Sequence, residues 1–327
     1  MPKPKSTTSL IAKILGAVFG IGLVALLFFN RIVITDYIKG FSYSPTPEIA
    51  EISSALNLTS SGARIFRASS PVLESRDDFN RDCASFDAEV SILGCYTNEK
   101  IYVYNITEPT LAGIRESTTA HELLHAIYAR LSDAQKSRLS PLLDEVYQKN
   151  ESSLKSTLES YDEAERTEEL YVRSATQIAE LPAELVAHFA KFFTNRAAIV
   201  QFYNNYITPF TELNAKIDAL GAELETLRAE IDTKTADYTS RSDAFNSSVA
   251  EFNSCADTPG CFSSDYEFSS RRRALVSEQN SLDALYEALN SLIDDYNAKV
   301  DDYNSNVLRS NDLQNVINSN SERKETL

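Results

Sequence analysis

The chain has 327 residues, 31 basic against 47 acidic side chains and a net charge of −16, with nine glycines, no tryptophan and one methionine. So few turn-formers imply a mostly helical protein with long uninterrupted segments, its core resting on Leu, Ile, Val, Ala, Phe and Tyr. Five basic residues and one acidic residue lie at or before Lys39, so the rest carries a charge of about −20, which argues against nucleic acid or anionic lipid as a partner.

Residues 10–29, LIAKILGAVFGIGLVALLFF, form an apolar run broken only by Lys13. That is the length a helix needs to cross the hydrocarbon core, and Lys13 is near enough to the end to snorkel to the interface. Lys3, Lys5 and Lys13 precede the main part of the run, whereas Arg31, Asp36 and Lys39 follow it. This modest bias puts residues 1–9 in the cytoplasm and the main domain outside, as expected for a single-pass protein of the cell membrane. The competing reading, a cleaved signal peptide, lacks a small-residue cleavage site after the run. Residues 30–47 read as a stem.

Residues 48–56 have helical spacing. Residues 63–72, ARIFRASSPV, read as a strand, and 90–106, VSILGCYTNEKIYVYNI, as a β-hairpin whose turn is 97–100. In its second arm Tyr102, Tyr104 and Ile106 face one way and Ile101, Val103 and Asn105 the other. Helices are expected from about 108, then at 133–149 with Ser132 as N-cap, 152–159, 162–181, 183–193 and from 197 onward.

Beyond Thr211 the pattern changes to heptads. Leu213, Ile217, Leu220, Leu224, Leu227 and Ile231 recur at spacings of four and three. A second run from Leu275 to Val307 keeps one phase and contains the near-repeat DDYNAKV-DDYNSNV. Two such runs around a turn with Pro259 and Gly260 predict an antiparallel coiled-coil hairpin over 209–310, followed by a polar tail, 311–327. Lys234 and Arg241 interrupt the first stripe, and Arg271–Arg273 have the acidic first arm as a possible target. Four cysteines allow three pairings. The local one, Cys83 with Cys95 and Cys255 with Cys261, closes the shortest loops and suits an oxidising compartment.

The chemistry concentrates in STTAHELLHAIYARL, where two of three histidines flank a glutamate as His121-Glu122-x-x-His125. Residues four apart share a helix face, so both imidazoles can serve one ion. Zinc takes neutral imidazole well and keeps an open position in catalytic sites. Glu122 projects beside the metal, where it can take a proton from a water that the metal acidifies. An amphipathic helix with two solvated histidines is the plainer reading. The strand hairpin before it and the export signal favour the metal site.

HELLH on a helix, after a hairpin and before an all-helical half, resembles the zincin metallopeptidases over about 63–196, and most closely the gluzincin branch. The resemblance implies an α+β, mostly α fold, a zincin-like domain over 48–208, one Zn²⁺ per chain, and a third ligand from a later helix. Against the thermolysin-type segment N-E-x-x-S-D-x-x-G-T, EELYVRSAT puts Glu169 at the ligand position, departing at the Asn, Ser, Asp and Gly positions. Glu184 in AELVAHFA fits the looser E-x-x-A pattern, and His188 offers a three-histidine alternative. The resemblance further implies that the arm 100–106 is the edge strand for an extended peptide, and that Tyr171, His188 or Tyr203 donates to the oxyanion.

The function expected is a membrane-anchored extracytoplasmic zinc peptidase acting on peptide or protein substrates with Glu122 as general base. The alternative is a surface coiled-coil protein that binds a partner or itself through the hairpin, with a degenerate or structural metal domain.

Overall fold

The computed structural model describes residues 7–84 and 92–319. Residues 1–6 of the expected cytoplasmic segment, Val90 and Ser91 of the expected hairpin arm and residues 320–327 of the expected tail lie outside them. Among the described residues the protein is mostly helical with one three-stranded sheet, an α+β architecture. The chain divides into two compact units, Met1–Pro209 with Gln314–Leu327, and Phe210–Leu313.

In the first unit α1 (Thr7–Phe29) leads into α2 (Arg31–Phe41). Among the described residues no single helix is long and apolar enough to cross a membrane; Ala17–Phe29 and Arg31–Phe41, bent by 64°, are so as a pair. The segment expected as a stem is thus largely helical. It is held because Asp36, buried on α2, meets Arg130 Nη2 at 2.9 Å and Arg64 Nε at 3.5 Å.

Helix α3 (Pro47–Ala55) starts with Pro47 at its first position and Thr46 as cap, where a missing N–H costs nothing. The expected strand at 63–72 is instead mostly helix. Helix α4 (Ser60–Ala68) is capped by Thr59, which accepts from Gly62 N, and it buries Ile65, Phe66 and Ala68. Side chains buried at this spacing fit a 3.6 period and not an alternation. Only β1 (Val72–Glu74) is extended.

Helix α5 (Arg76–Asp82) follows, then β2 (Gly94–Thr97) and β3 (Lys100–Tyr104). The two-residue turn holds Asn98 and Glu99 at φ 50° and 60°, the left-handed pair that matches strand twist. Ile101 and Val103 are buried while their neighbours are half-exposed. The sheet order is β1-β3-β2, with β1 parallel and β2 antiparallel to β3. The arm expected as an open edge is therefore the middle strand, paired on both sides. Cys83–Cys95 ties the end of α5 to β2 with Cα atoms 6.0 Å apart.

Helix α6 (Ile114–Tyr128) begins after Gly113, whose φ of 94° suits glycine. It buries Ala120, Leu123, Leu124 and Ile127 in the main core. A capping box between Ser132 and Gln135 opens α7 (Asp133–Lys149), and α8 (Glu151–Leu158) follows. Helix α9 (Glu163–Thr176) stops five residues before the expected end, because Arg196 takes the carbonyls of Ala175, Ile178 and Ala179 as the chain turns towards Pro182. Helix α10 (Ala183–Phe189) also ends early. Phe193 leaves the helix to bridge Leu58, and Thr194 N donates to Asn57 O.

Two long helices, α11 (Arg196–Ala256) and α12 (Asp265–Ile317), complete the chain. Within the second unit they run antiparallel. Lys216 pairs with Asp302, Glu223 with Lys299 and Arg241 with Glu278, and Tyr238 packs on Tyr286. Arg241 thus bridges the arms. Arg271 stays on its own arm with Glu267 and the ring of Phe262. Cys255–Cys261 closes the tip, where Phe252, Phe262 and Phe268 cluster. The start of the segment expected as a polar tail remains helical to Ile317. Its last described residues are held, since Arg76 donates to Asn315 O, Asn80 to Ser319 O, and Ser319 Oγ to Ile92 O.

Candidate metal centre

Helix α6 presents its polar face between β2 and α9. His121 and His125 sit one turn apart with ring centroids 5.1 Å from each other, while Glu122, 5% exposed, points between that face and the sheet. Gly94 on β2 explains how the strand comes so close. A Cβ there would lie 2.7 Å from Thr118 Cγ2 and 2.8 Å from Glu122 Oε1.

Helix α9 brings Glu169, 1% exposed, to the two imidazoles. Its Oε2 is 3.7 Å from His121 Nε2 and 3.5 Å from His125 Nε2. These separations exceed an ordinary hydrogen bond. They approach the roughly 3.4 Å between two tetrahedral ligands that each stand about 2.0–2.1 Å from zinc. One ligand atom from each of His121, His125 and Glu169 lies within 4.8 Å of the others. This donor set, two imidazoles and a carboxylate, is one that zinc accepts, so the residues fit the ion.

Two neighbours missed in the sequence hold the donors. Glu168 Oε1 bonds His125 Nδ1 at 2.8 Å, which fixes the ring and leaves Nε2 to face Glu169. Arg173 Nε stands 2.5 Å from Glu169 Oε1. The Glu168-Glu169 doublet and the four-residue step to Arg173 were visible signals for both.

The electrostatics favour a cation. Burial would raise Glu169, but His121, His125 and Arg173 outweigh it and hold the carboxyl well below its usual range. Burial raises Glu122, helped by Glu169 and Glu168 against the histidines. Burial would lower His125, yet the bond to Glu168 and the nearby carboxylates of Glu169 and Glu122 lift it to about 10. His125 thus favours a proton that a metal would have to displace.

The donors open into a cavity of about 500 Å³, walled by β2, Tyr161, Arg173, Tyr203 and Tyr206. Gly94, Cys95 and Tyr96 line it, so the strand edge facing the donors is β2 and not β3. Of the residues weighed as oxyanion donors, Tyr203 borders the cavity. Tyr171 and His188 do not: they share a 3.0 Å hydrogen bond within the core. Glu184 is exposed and faces Arg138 at 3.8 Å. Neither Glu184 nor His188 belongs to the donor group. Tyr161 and Tyr206 carry no local sequence signal, since folding alone brings them here. Comparison with family models, with curated proteins and with solved structures finds no match.

Proposed function

We propose that the protein is a zinc peptidase of zincin type, anchored by its N-terminal apolar helix with the chain that follows it outside the cell. The observation that carries this reading is the convergence of His121, His125 and Glu169 on one point, beside a buried glutamate and β2, an edge strand among the described residues. Zinc there would supply a Lewis acid for a peptide carbonyl and a water acidified towards neutral pH. Glu168 holds the His125 tautomer, and Arg173 holds Glu169. The raised proton affinity of Glu122 suits a carboxylate that takes a proton at Oε and passes it to the leaving amine. The outer edge of β2, unpaired among the described residues, offers backbone N–H and C=O groups to an extended peptide across the cavity.

The test is metal content by plasma mass spectrometry, with cleavage of denatured casein, on the full chain in detergent. One zinc per chain is expected, lost in His125→Ala and kept in Glu122→Gln, with cleavage lost in both. A folded wild type that takes no zinc when offered it would overturn the reading, as would undiminished cleavage by Glu122→Gln.

A further inference from the structure

We infer that α2 is an interfacial foot: it lies on the bilayer surface and seats the globular unit directly on zwitterionic lipid. This rests on the proposed membrane anchor. Between residues 30 and 209 the large apolar side chains left exposed among the described residues are Ile32, Tyr37, Ile38, Phe41 and Val186. Four of the five are on one eleven-residue helix. Ile38 is 69% and Phe41 91% exposed, and with Tyr37 and the half-buried Ile34 they form one stripe at helical spacing. Asp36 and Gly40 occupy a different face and are buried, with Asp36 on Arg130 and Arg64, and Gly40 O accepting from Arg67. The helix is therefore committed to the unit on one side and uncovered on another.

Lipid is the occupant for three reasons. The stripe continues directly from α1, whose Leu26, Leu27, Phe28 and Phe29 are themselves exposed. The 64° bend leaves α2 within about 30° of the membrane plane when α1 stands near the normal. The junction also carries interfacial residue types, Arg31 over the Phe28 ring at 5.1 Å and Tyr37 with its polar tip. An amphipathic helix in that attitude buries its apolar stripe at the boundary between headgroups and acyl chains. The acidic balance of the exported part opposes anionic headgroups, so the contact is apolar and not charge-driven. Because Asp36 pairs with Arg130, just past the end of α6, the foot also sets the height of the metal helix above the lipid.

The experiment is spin-label depth measurement on the full chain in phosphatidylcholine nanodiscs. Nitroxides are placed one at a time through Ile38→Cys, Phe41→Cys, Val24→Cys on α1 and Glu51→Cys as an aqueous control. Oxygen-to-nickel-chelate collision ratios several-fold above the control at 38 and 41, below that at 24, are expected. Control-like ratios at both 38 and 41 with a high ratio at 24 would overturn the foot and leave the anchor. Control-like ratios at all positions would overturn both. Spin–spin broadening at 41 would assign the stripe to a second copy and also overturn it.

Discussion

With His125 Nδ1 committed to Glu168 at 2.8 Å, the ring's orientation depends on a carboxylate outside the candidate donor group. Glu168→Gln is expected to weaken zinc binding by about 10- to 100-fold, since the amide keeps the geometry but loses the charge. Competition against a chromophoric chelator measures this, and unchanged affinity would deny Glu168 its role. A second residue-scale prediction concerns His188, which is 8% exposed. Burial, aided by Lys191, lowers its pKa from 6.5 to about 4. The unfolded chain therefore takes up a proton below pH 6.5 that the folded chain refuses until about pH 4. Stability falls as pH drops through that window. His188 borders a small cavity, and solvent screening there reduces the full linkage to about 2 kcal/mol. His188→Gln, which can still bond Tyr171, should flatten the urea-midpoint profile between pH 6.5 and 4. A profile parallel to wild type would show that other groups carry the loss.

At the scale of elements, β2 and α6 meet at a glycine. In Gly94→Ala the new Cβ, 2.8 Å from Glu122 Oε1 and 2.7 Å from Thr118 Cγ2, must move either the strand or the carboxylate. We expect zinc content to survive, cleavage to fall, and stability to drop by about 1–3 kcal/mol from overpacking; unaltered turnover would mean the interface yields without moving Glu122. Elements differ in how far local chemistry declares them. Helix α7 could be read to the residue, because Ser132 and Gln135 form its cap within four positions. The β2–β3 turn and the pairing of His121 and His125 on one helix face were legible for the same local reason. Helix α4 was not, since its few turns depend on Thr59 and on neighbours distant in sequence. The three-residue β1 is too short to show a period, and its parallel pairing with β3 is a long-range event. Glu169 lies between these cases. Its helix was evident, but only packing of α9 on α6 brings that one glutamate to the histidines. Arg173, Tyr161 and Tyr206 arrive by the same packing.

For the whole molecule, two compact units share α11 and α12, and their cooperativity is open to a paired perturbation. The candidate metal donors all belong to Met1–Pro209, and the Cys255–Cys261 bridge belongs to Phe210–Leu313. An ion at about a thousand times its Kd stabilises the unit that binds it by about 4 kcal/mol, or roughly 10 °C in a unit of this size. The bridge closes a short loop and contributes about 2 kcal/mol to the hairpin. Calorimetry of the full chain is therefore expected to show two transitions. Chelation should lower one and leave the other, and Cys255→Ser with Cys261→Ser should do the reverse. Each unit has its own buried residues, the first a core of aromatic and aliphatic side chains and the second a seam with Leu282 and Leu289, so each has its own reason to melt as a body. If chelation lowered both transitions together, the two continuous helices would be transmitting stability across residues 209 and 313, and metal binding in one unit would then control the order of the other.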